Sequence, residues 1–134
     1  MRPLLLLAAL AVTGCDSVLA DGPSFSATLA TDGRAYAPGA EARLIVENTG
    51  TVPVEFAPLN CSARLESEES EGEWTLVARA GRPECLDVVV VLPPGEAADA
   101  PIPLGAAPGT YRLLLDVSDG NDELRLSTDP FVVG

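Results

Sequence analysis

Short segments in which apolar and polar residues alternate, interrupted by turn-forming residues, constrain the fold of this chain more than any other feature. Residues 41–47 and 111–117 are the clearest examples, with an apolar or aromatic residue at every second position. A two-residue period places the apolar side chains on one face of a β-strand. Pro-Gly, Asp-Gly and Asn-Thr-Gly turns separate eight or nine such segments over about 100 residues. This pattern predicts an all-β fold, an antiparallel β-sandwich of about seven to nine strands, with a closed barrel as the alternative.

Two kinds of residue predict where strands lie within the sheets. The most apolar segment, residues 85–92, contains four consecutive valines, and such a run predicts a central strand with both faces at least partly covered. Proline lacks a backbone N–H, so Pro53, Pro101 and Pro103 predict edge strands or positions where no ladder donor is needed. No segment after the first 14 residues has convincing helical periodicity.

Two acidic segments are predicted to be hairpin turns. Residues 66–73 carry a dense run of glutamates, and alternation resumes directly afterwards, which is typical of a solvated hairpin tip. A calcium loop is the alternative, but the spacing of an EF-hand is missing. Residues 118–122 link two alternating segments in a second hairpin. The carboxylates around it, Asp116, Asp119, Asp122 and Glu123, are interpreted as a solvated turn, because paired catalytic carboxylates would also need a cleft.

Composition removes most classes of catalytic site. The chain contains no histidine and no lysine, and its net charge is −12. Catalytic triads, Schiff-base chemistry, P-loops and histidine-based zinc sites are therefore excluded. Contact with nucleic acid is disfavoured because phosphate binding needs clustered basic residues. We predict that the protein is not an enzyme and has no cofactor, catalytic residue or metal site.

The first 16 residues read as an export signal. A positively charged start is followed by an apolar run, residues 4–12, and then by small residues before Cys15. This run is too short to cross a bilayer, since a helix needs about 20 residues. The sequence Val-Thr-Gly-Cys that ends at Cys15 resembles the lipobox of bacterial lipoproteins. The resemblance implies that residues 1–14 are removed and that Cys15 is lipidated. Ordinary cleavage after Ala20 is the rival interpretation.

A lipidated Cys15 defines the predicted organisation and location. Residues 15–23 would be the lipid-bearing cysteine and a tether, and residues 24–134 would form one domain. The protein would lie in the bacterial cell envelope, periplasmic or surface-exposed, and contact the membrane through the lipid.

Several framework residues between positions 24 and 133 resemble those of bacterial immunoglobulin-like domains. They comprise Tyr36, Pro38-Gly39, Leu44-Ile45-Val46, Asn48, Trp74, Pro94-Gly95 and Pro108-Gly109-Thr110-Tyr111-Arg112. The resemblance implies an immunoglobulin-like sandwich in which Tyr111 acts as a tyrosine corner. It implies fold and no activity.

Two functions fit these expectations. The first is a non-enzymatic module for adhesion, scaffolding or accessory interactions, which would bind an envelope protein or a glycan. The alternative is a small proteinase inhibitor, because the layout is similar to a family of bacterial inhibitors with an immunoglobulin-like fold. Residues 80–84, Ala-Gly-Arg-Pro-Glu, would then enter the protease.

The two remaining cysteines predict a disulfide bond. The chain has three cysteines, and lipidation of Cys15 leaves Cys61 and Cys85 in a compartment where disulfides persist. Cys61 opens the segment before the acidic hairpin, and Cys85 opens the segment after it. The hairpin would return the chain and bring the two cysteines together. Two buried free thiols are the alternative, and metal binding by two thiols alone is the weaker option.

Overall fold

The computed structural model describes residues 22–79 and 87–134, and this part of the chain folds as an all-β sandwich. Two sheets pack face to face around one apolar core. The elements in chain order are β1 (Ala27–Thr31), β2 (Ala35–Tyr36), β3 (Glu41–Asn48), β4 (Val54–Phe56), α1 (Leu59–Ser62), β5 (Arg64–Ser70), β6 (Glu73–Arg79), β7 (Val90–Leu92), β8 (Ala97–Pro103), β9 (Gly109–Ser118), β10 (Glu123–Ser127) and β11 (Phe131–Val133).

The first sheet has three antiparallel strands in the order β1-β3-β8. Its middle strand follows the alternation in the sequence, so Ala42, Leu44 and Val46 are fully buried while the residues between them point away from the core. Pro101 and Pro103 lie on β8 at one edge, as predicted, where a missing N–H removes no ladder bond.

The second sheet is built around β9, the longest strand. Along one side of β9, β10 pairs with residues 114–118 and β11 with residues 109–111. Along the other side of β9, β5 pairs with residues 111–114, and β4 pairs at one position, where Glu55 lies opposite Ser118. A short β2 adds to β11 in the only parallel ladder of the described strands. Hairpins are confirmed at both predicted places, but the first turn is confined to residues 71 and 72, and residues 66–70 and 73 belong to β5 and β6.

Interruptions explain why the described chain has eleven strands when the sequence predicts seven to nine. β4 and β5 lie in line along one side of β9, and the single-turn helix α1 separates them. β6 pairs with β5, and β7 pairs with β4. The next line of strands out from β9 is therefore also divided into two, β6 and β7. β10 and β11 likewise lie in line along the other side of β9. Each pair would count as one strand if the chain ran straight.

The core is filled by side chains from both sheets. Phe131 contacts two tyrosines, with ring centroids 5.5 Å from Tyr36 and 6.4 Å from Tyr111. The Tyr111 hydroxyl donates to the Ala107 carbonyl oxygen at 2.7 Å, four residues upstream, as a tyrosine corner does. The largest fully buried apolar side chains are Phe131, Leu44, Ile102, Leu113, Leu115, Val46, Val54, Val117 and Val133.

Asn48 is a fully buried polar residue at the end of β3. Its Nδ2 donates to the carbonyl oxygens of Val52 at 2.8 Å and Leu92 at 2.9 Å, and its Oδ1 accepts from the Gly50 N–H at 3.0 Å. All the hydrogen-bonding groups of the amide side chain are thereby satisfied, which removes the penalty for burying it. A Cβ at Gly50 would lie 2.3 Å from the Ser24 carbonyl oxygen, so this turn requires glycine.

Pro53 lies immediately before β4, which pairs with both β7 and β9 and is therefore an interior strand. The edge interpretation of Pro53 is wrong, and its other interpretation, a position without a ladder donor, is correct.

Candidate binding groove

The valine-rich segment does not form the predicted central strand. Of its described residues, 87–92, only Val90–Leu92 form a strand, β7, and among the described strands β7 pairs with β4 alone. Val88, Val89 and Val91 are 54%, 61% and 56% exposed. The prediction of a covered central strand is wrong, because the segment lies at one end of the sheet where no described element packs over it. Clustered exposed apolar side chains mark candidate interaction surfaces.

A groove of about 210 Å³ lies next to these valines. It forms at a gap along one side of β9. The pairing of β9 with β5 ends at Leu114, and its pairing with β4 is at Ser118. Within the described chain, residues 115–117 have no partner strand on that side. We call this feature the valine groove, and its lining consists of Glu55, Phe56, Ala57, Val88, Val89, Asp116, Val117, Ser118 and Glu123.

Asp116 in the valine groove is held by two arginines. Arg125 Nε lies 2.9 Å from Asp116 Oδ1, and Arg64 Nη1 lies 3.1 Å from Oδ2. The hydrogen bond from Arg125, with further help from Arg64, lowers the pKa of Asp116 to about 2 although partial burial opposes the shift. This carboxylate stays ionised and paired at neutral pH, so it is poorly suited to proton transfer.

Asp119 organises the adjacent turn. Its Oδ1 accepts from the backbone N–H groups of Asp122 at 2.7 Å and Asn121 at 2.8 Å, and these bonds lower the pKa of its carboxyl group. A side chain that closes its own turn in this way has a structural role. The structure thus brings Asp116 and Glu123 to the groove, whereas Asp119 is committed to the turn.

Glu55 and Glu123 are the uncompensated charges of the valine groove. Neither forms an ion pair within the described part of the chain. Glu55 is half-buried on β4, and Glu123 is exposed at the start of β10. The groove therefore combines the exposed apolar side chains of Val88 and Val89 with two free carboxylates, those of Glu55 and Glu123.

The acidic hairpin of β5 and β6 has its own internal contacts. Glu66 pairs with Arg112 at 2.7 Å, and the Arg112 guanidinium lies 4.4 Å from the ring centroid of Trp74. Glu68 Oε2 accepts from the Gly72 N–H at 2.9 Å across the turn. Among the described residues, no group of three or more acidic or cysteine side chains is placed to hold a metal ion.

Of the predicted cysteine sites, the structure describes only Cys61. It lies on α1, it is 8% exposed, and it is disulfide-bonded. Cys15, Cys85 and the inhibitor loop at residues 80–84 lie outside the described residues. The identity of the partner of Cys61 therefore stays a prediction. Within residues 22–79 and 87–134, no helix has the length and apolarity needed to cross a membrane.

Sequence reasoning missed the valine groove. Its residues come from three separated segments, and their proximity depends on the division between β4 and β5, which has no signature in the sequence. One signal was present but was interpreted differently: four valines directly after Asp87, in a chain with few apolar segments of that density.

Comparisons with known proteins give only distant structural similarity. Neither a known protein family nor a curated protein matches the sequence. Among solved structures, the chain is similar to the sporulation control protein Spo0M from Bacillus subtilis, with 16% identity, a TM-score of 0.44 and coverage of 81% of this chain and 48% of that one. It is also similar to the ApaA protein from Bordetella pertussis, with 18% identity, a TM-score of 0.41 and coverage of 82% and 90%. The chain spans about half the length of Spo0M. Similarity at this level carries no inference about function.

Proposed function

We propose that the protein is a lipid-anchored, non-enzymatic immunoglobulin-like module of the bacterial cell envelope that binds another envelope component. The observation that carries the binding role is the valine groove, with three exposed valines in and beside it. Exposed apolar side chains in contact with water cost free energy, and a partner that covers them removes that cost.

The strand arrangement supports the immunoglobulin-like part of the proposal. β1, β3 and β8 lie in one sheet and β4, β9 and β10 in the other, which is similar to the division of strands A, B, E and C, F, G in immunoglobulin domains. The tyrosine-corner hydrogen bond of Tyr111 adds to this similarity.

The state of the carboxylates supports a non-enzymatic role. Asp116 is paired with two arginines and Asp119 closes a turn, and the pKa of each is lowered by these contacts. A general acid at neutral pH needs the opposite, a raised pKa.

Lipid anchoring is tested with the variant Cys15→Ala expressed from the full-length gene in a bacterium. We expect the unaltered protein in the membrane fraction and Cys15→Ala in the soluble fraction, because the variant lacks the thiol that carries the lipid. Ser17→Ala, a substitution of similar size two residues further on, serves as control and should stay in the membrane fraction. Retention of Cys15→Ala in the membrane would refute the anchor.

We also propose that Cys61 pairs with Cys85. Cys61 lies in the excursion between Phe56 and Arg64, and the cross-strand partners of those two residues, Val90 and Arg79, bound the segment that contains Cys85. The two cysteines thus belong to segments whose flanking residues are paired across neighbouring strands. A bridge that closes about 25 residues would stabilise the fold by roughly 3 to 4 kcal/mol in the chain-entropy model.

Thiol titration of denatured, unreduced Cys15→Ala protein tests the pairing. We expect no reactive thiol before reduction and two after it. Two thiols before reduction would exclude the bridge.

A further inference from the structure

We infer that the valine groove receives one basic side chain, an arginine or a lysine, from an apolar segment of a partner protein. The inference rests on the proposed binding role and specifies the chemistry of the partner. Size, lining and charge each point to this occupant.

The size of the groove suits one side chain. Pockets that bind small molecules enclose roughly 300–1,000 Å³, whereas the valine groove encloses about 210 Å³. A single long side chain fills such a space, and the residues on either side of it remain outside. In that position they lie close to Val88 and Val89, which are more than half exposed.

The lining suits a side chain that is apolar along its stem and charged at its end. The exposed side chains of Val88 and Val89 give the groove an apolar lining. The methylene groups of lysine or arginine pack on such a surface while the charged end stays at the rim. A wholly apolar side chain would leave the rim carboxylates unpaired, and an acidic one would be repelled by them.

The rim supplies the opposite charge. Glu55 and Glu123 line the groove without an ion pair among the described residues. Asp116 with Arg64 and Arg125 has a net charge of +1, so the five groups together keep one negative charge that an incoming cation would neutralise. A guanidinium group presents donors in a planar fork and can contact carboxylates on two sides. The net charge of −12 also attracts a cationic partner over longer distances. It repels a second copy of this chain, which is therefore not the occupant that we infer.

The test uses two short peptides and the purified full-length Cys15→Ala protein. One peptide is acetyl-Val-Arg-Val-amide, and in the other citrulline replaces arginine, which removes the charge at nearly constant shape. Binding is followed by the changes in backbone amide chemical shifts on titration. We expect the arginine peptide to shift the amides of Glu55, Val89 and Glu123, and to bind more weakly as salt is added.

Matched variants separate charge from apolar contact. The double variant Glu55→Gln with Glu123→Gln should weaken the arginine peptide about tenfold, equivalent to about 1.4 kcal/mol, and leave the citrulline peptide unchanged. The control, Glu47→Gln with Glu71→Gln, removes the same number of charges at exposed positions outside the groove. It should leave the citrulline peptide unchanged and weaken the arginine peptide by less than about twofold, through the lower net charge alone. Val89→Ser should weaken both peptides.

Three outcomes would overturn the inference. The first is equal affinity for the two peptides or no shift at the groove amides. The second is that the shifts map to the acidic hairpin of β5 and β6. The third is a concentration-dependent dimer that Val89→Ser abolishes, which would make a second copy the occupant. None of these outcomes decides lipid anchoring, which the membrane fraction of Cys15→Ala tests separately.

Discussion

Two segments of this chain are equally apolar in sequence and reach opposite environments. In β9, Leu113, Leu114 and Leu115 are all buried, and the strand is paired along both sides. In the segment 88–92, Val88, Val89 and Val91 are more than half exposed, and β7 pairs with one strand among those described. The difference lies in their neighbours, because β9 has strands on both sides and the valine segment lies at one end of the sheet.

The comparison teaches that an apolar run has two possible meanings. It can supply the core, or it can be an apolar surface that a partner covers. What holds each segment in place differs accordingly. β9 is held by buried apolar area along its length, whereas in β7 the burial of Leu92 is joined by a polar contact, the hydrogen bond from Asn48 Nδ2 to the Leu92 carbonyl oxygen at 2.9 Å.

The largest expected effect contrasts one residue from each segment. Leu115→Ala should lower the free energy of unfolding by about 2 to 5 kcal/mol, because it removes buried methyl groups and leaves a cavity. Val89→Ala should change it by less than about 0.5 kcal/mol, because Val89 already contacts water. Urea unfolding of both variants measures these values. Equal losses would mean that the valine segment is part of the core.

A smaller effect is expected at the polar contact that holds the end of β7. Asn48→Ala should cost about 2 to 3 kcal/mol, because it leaves the carbonyl oxygens of Val52 and Leu92 without these donors in a buried place. Asn121→Ala in the exposed turn before β10 is the matched control and should stay within about 0.5 kcal/mol. Urea midpoints at constant slope give both numbers. If the two variants match, packing alone holds β7.

The smallest expected change in stability is at Asp116, a residue of β9 that lines the valine groove together with Val88 and Val89. The pKa of its carboxyl group is about 2 in the folded protein, below the value of about 3.9 in an unfolded chain. Its pairing therefore stabilises the fold above about pH 4, and this contribution is lost as the pH falls from about 4 to about 2.

The variant Asp116→Asn measures that contribution. Because the Asp116 side chain is 42% exposed, solvent screening limits the loss to about 0.5 to 1 kcal/mol at pH 6. The difference between Asp116→Asn and the unaltered protein should shrink towards pH 2. A difference that stays constant over this range would mean that packing, and not charge, is responsible.

The sequence was sufficient to predict the sandwich, both hairpins and the proline edge at β8, because those features follow from alternation and from local turn chemistry. It was insufficient for the valine segment. A strand covered on both faces and an exposed apolar strand can have the same composition, and only the neighbours decide between them. The valine groove was out of reach for the same reason, since Glu55 and Glu123 are brought together by the tertiary pairing of β4 and β9.

The prolines of β8 have a consequence for proteins that are crowded together. An outer strand with free donors and acceptors is a template on which another chain can add, and growth of this kind leads to aggregates and fibrils. Pro101 and Pro103 lack the N–H that such an incoming strand would need, at two positions on the same side of β8. The first sheet is therefore blocked against edge-to-edge growth along this strand. The β3–β8 ladder loses little stability, because an N–H at either proline position would donate to solvent and not to β3.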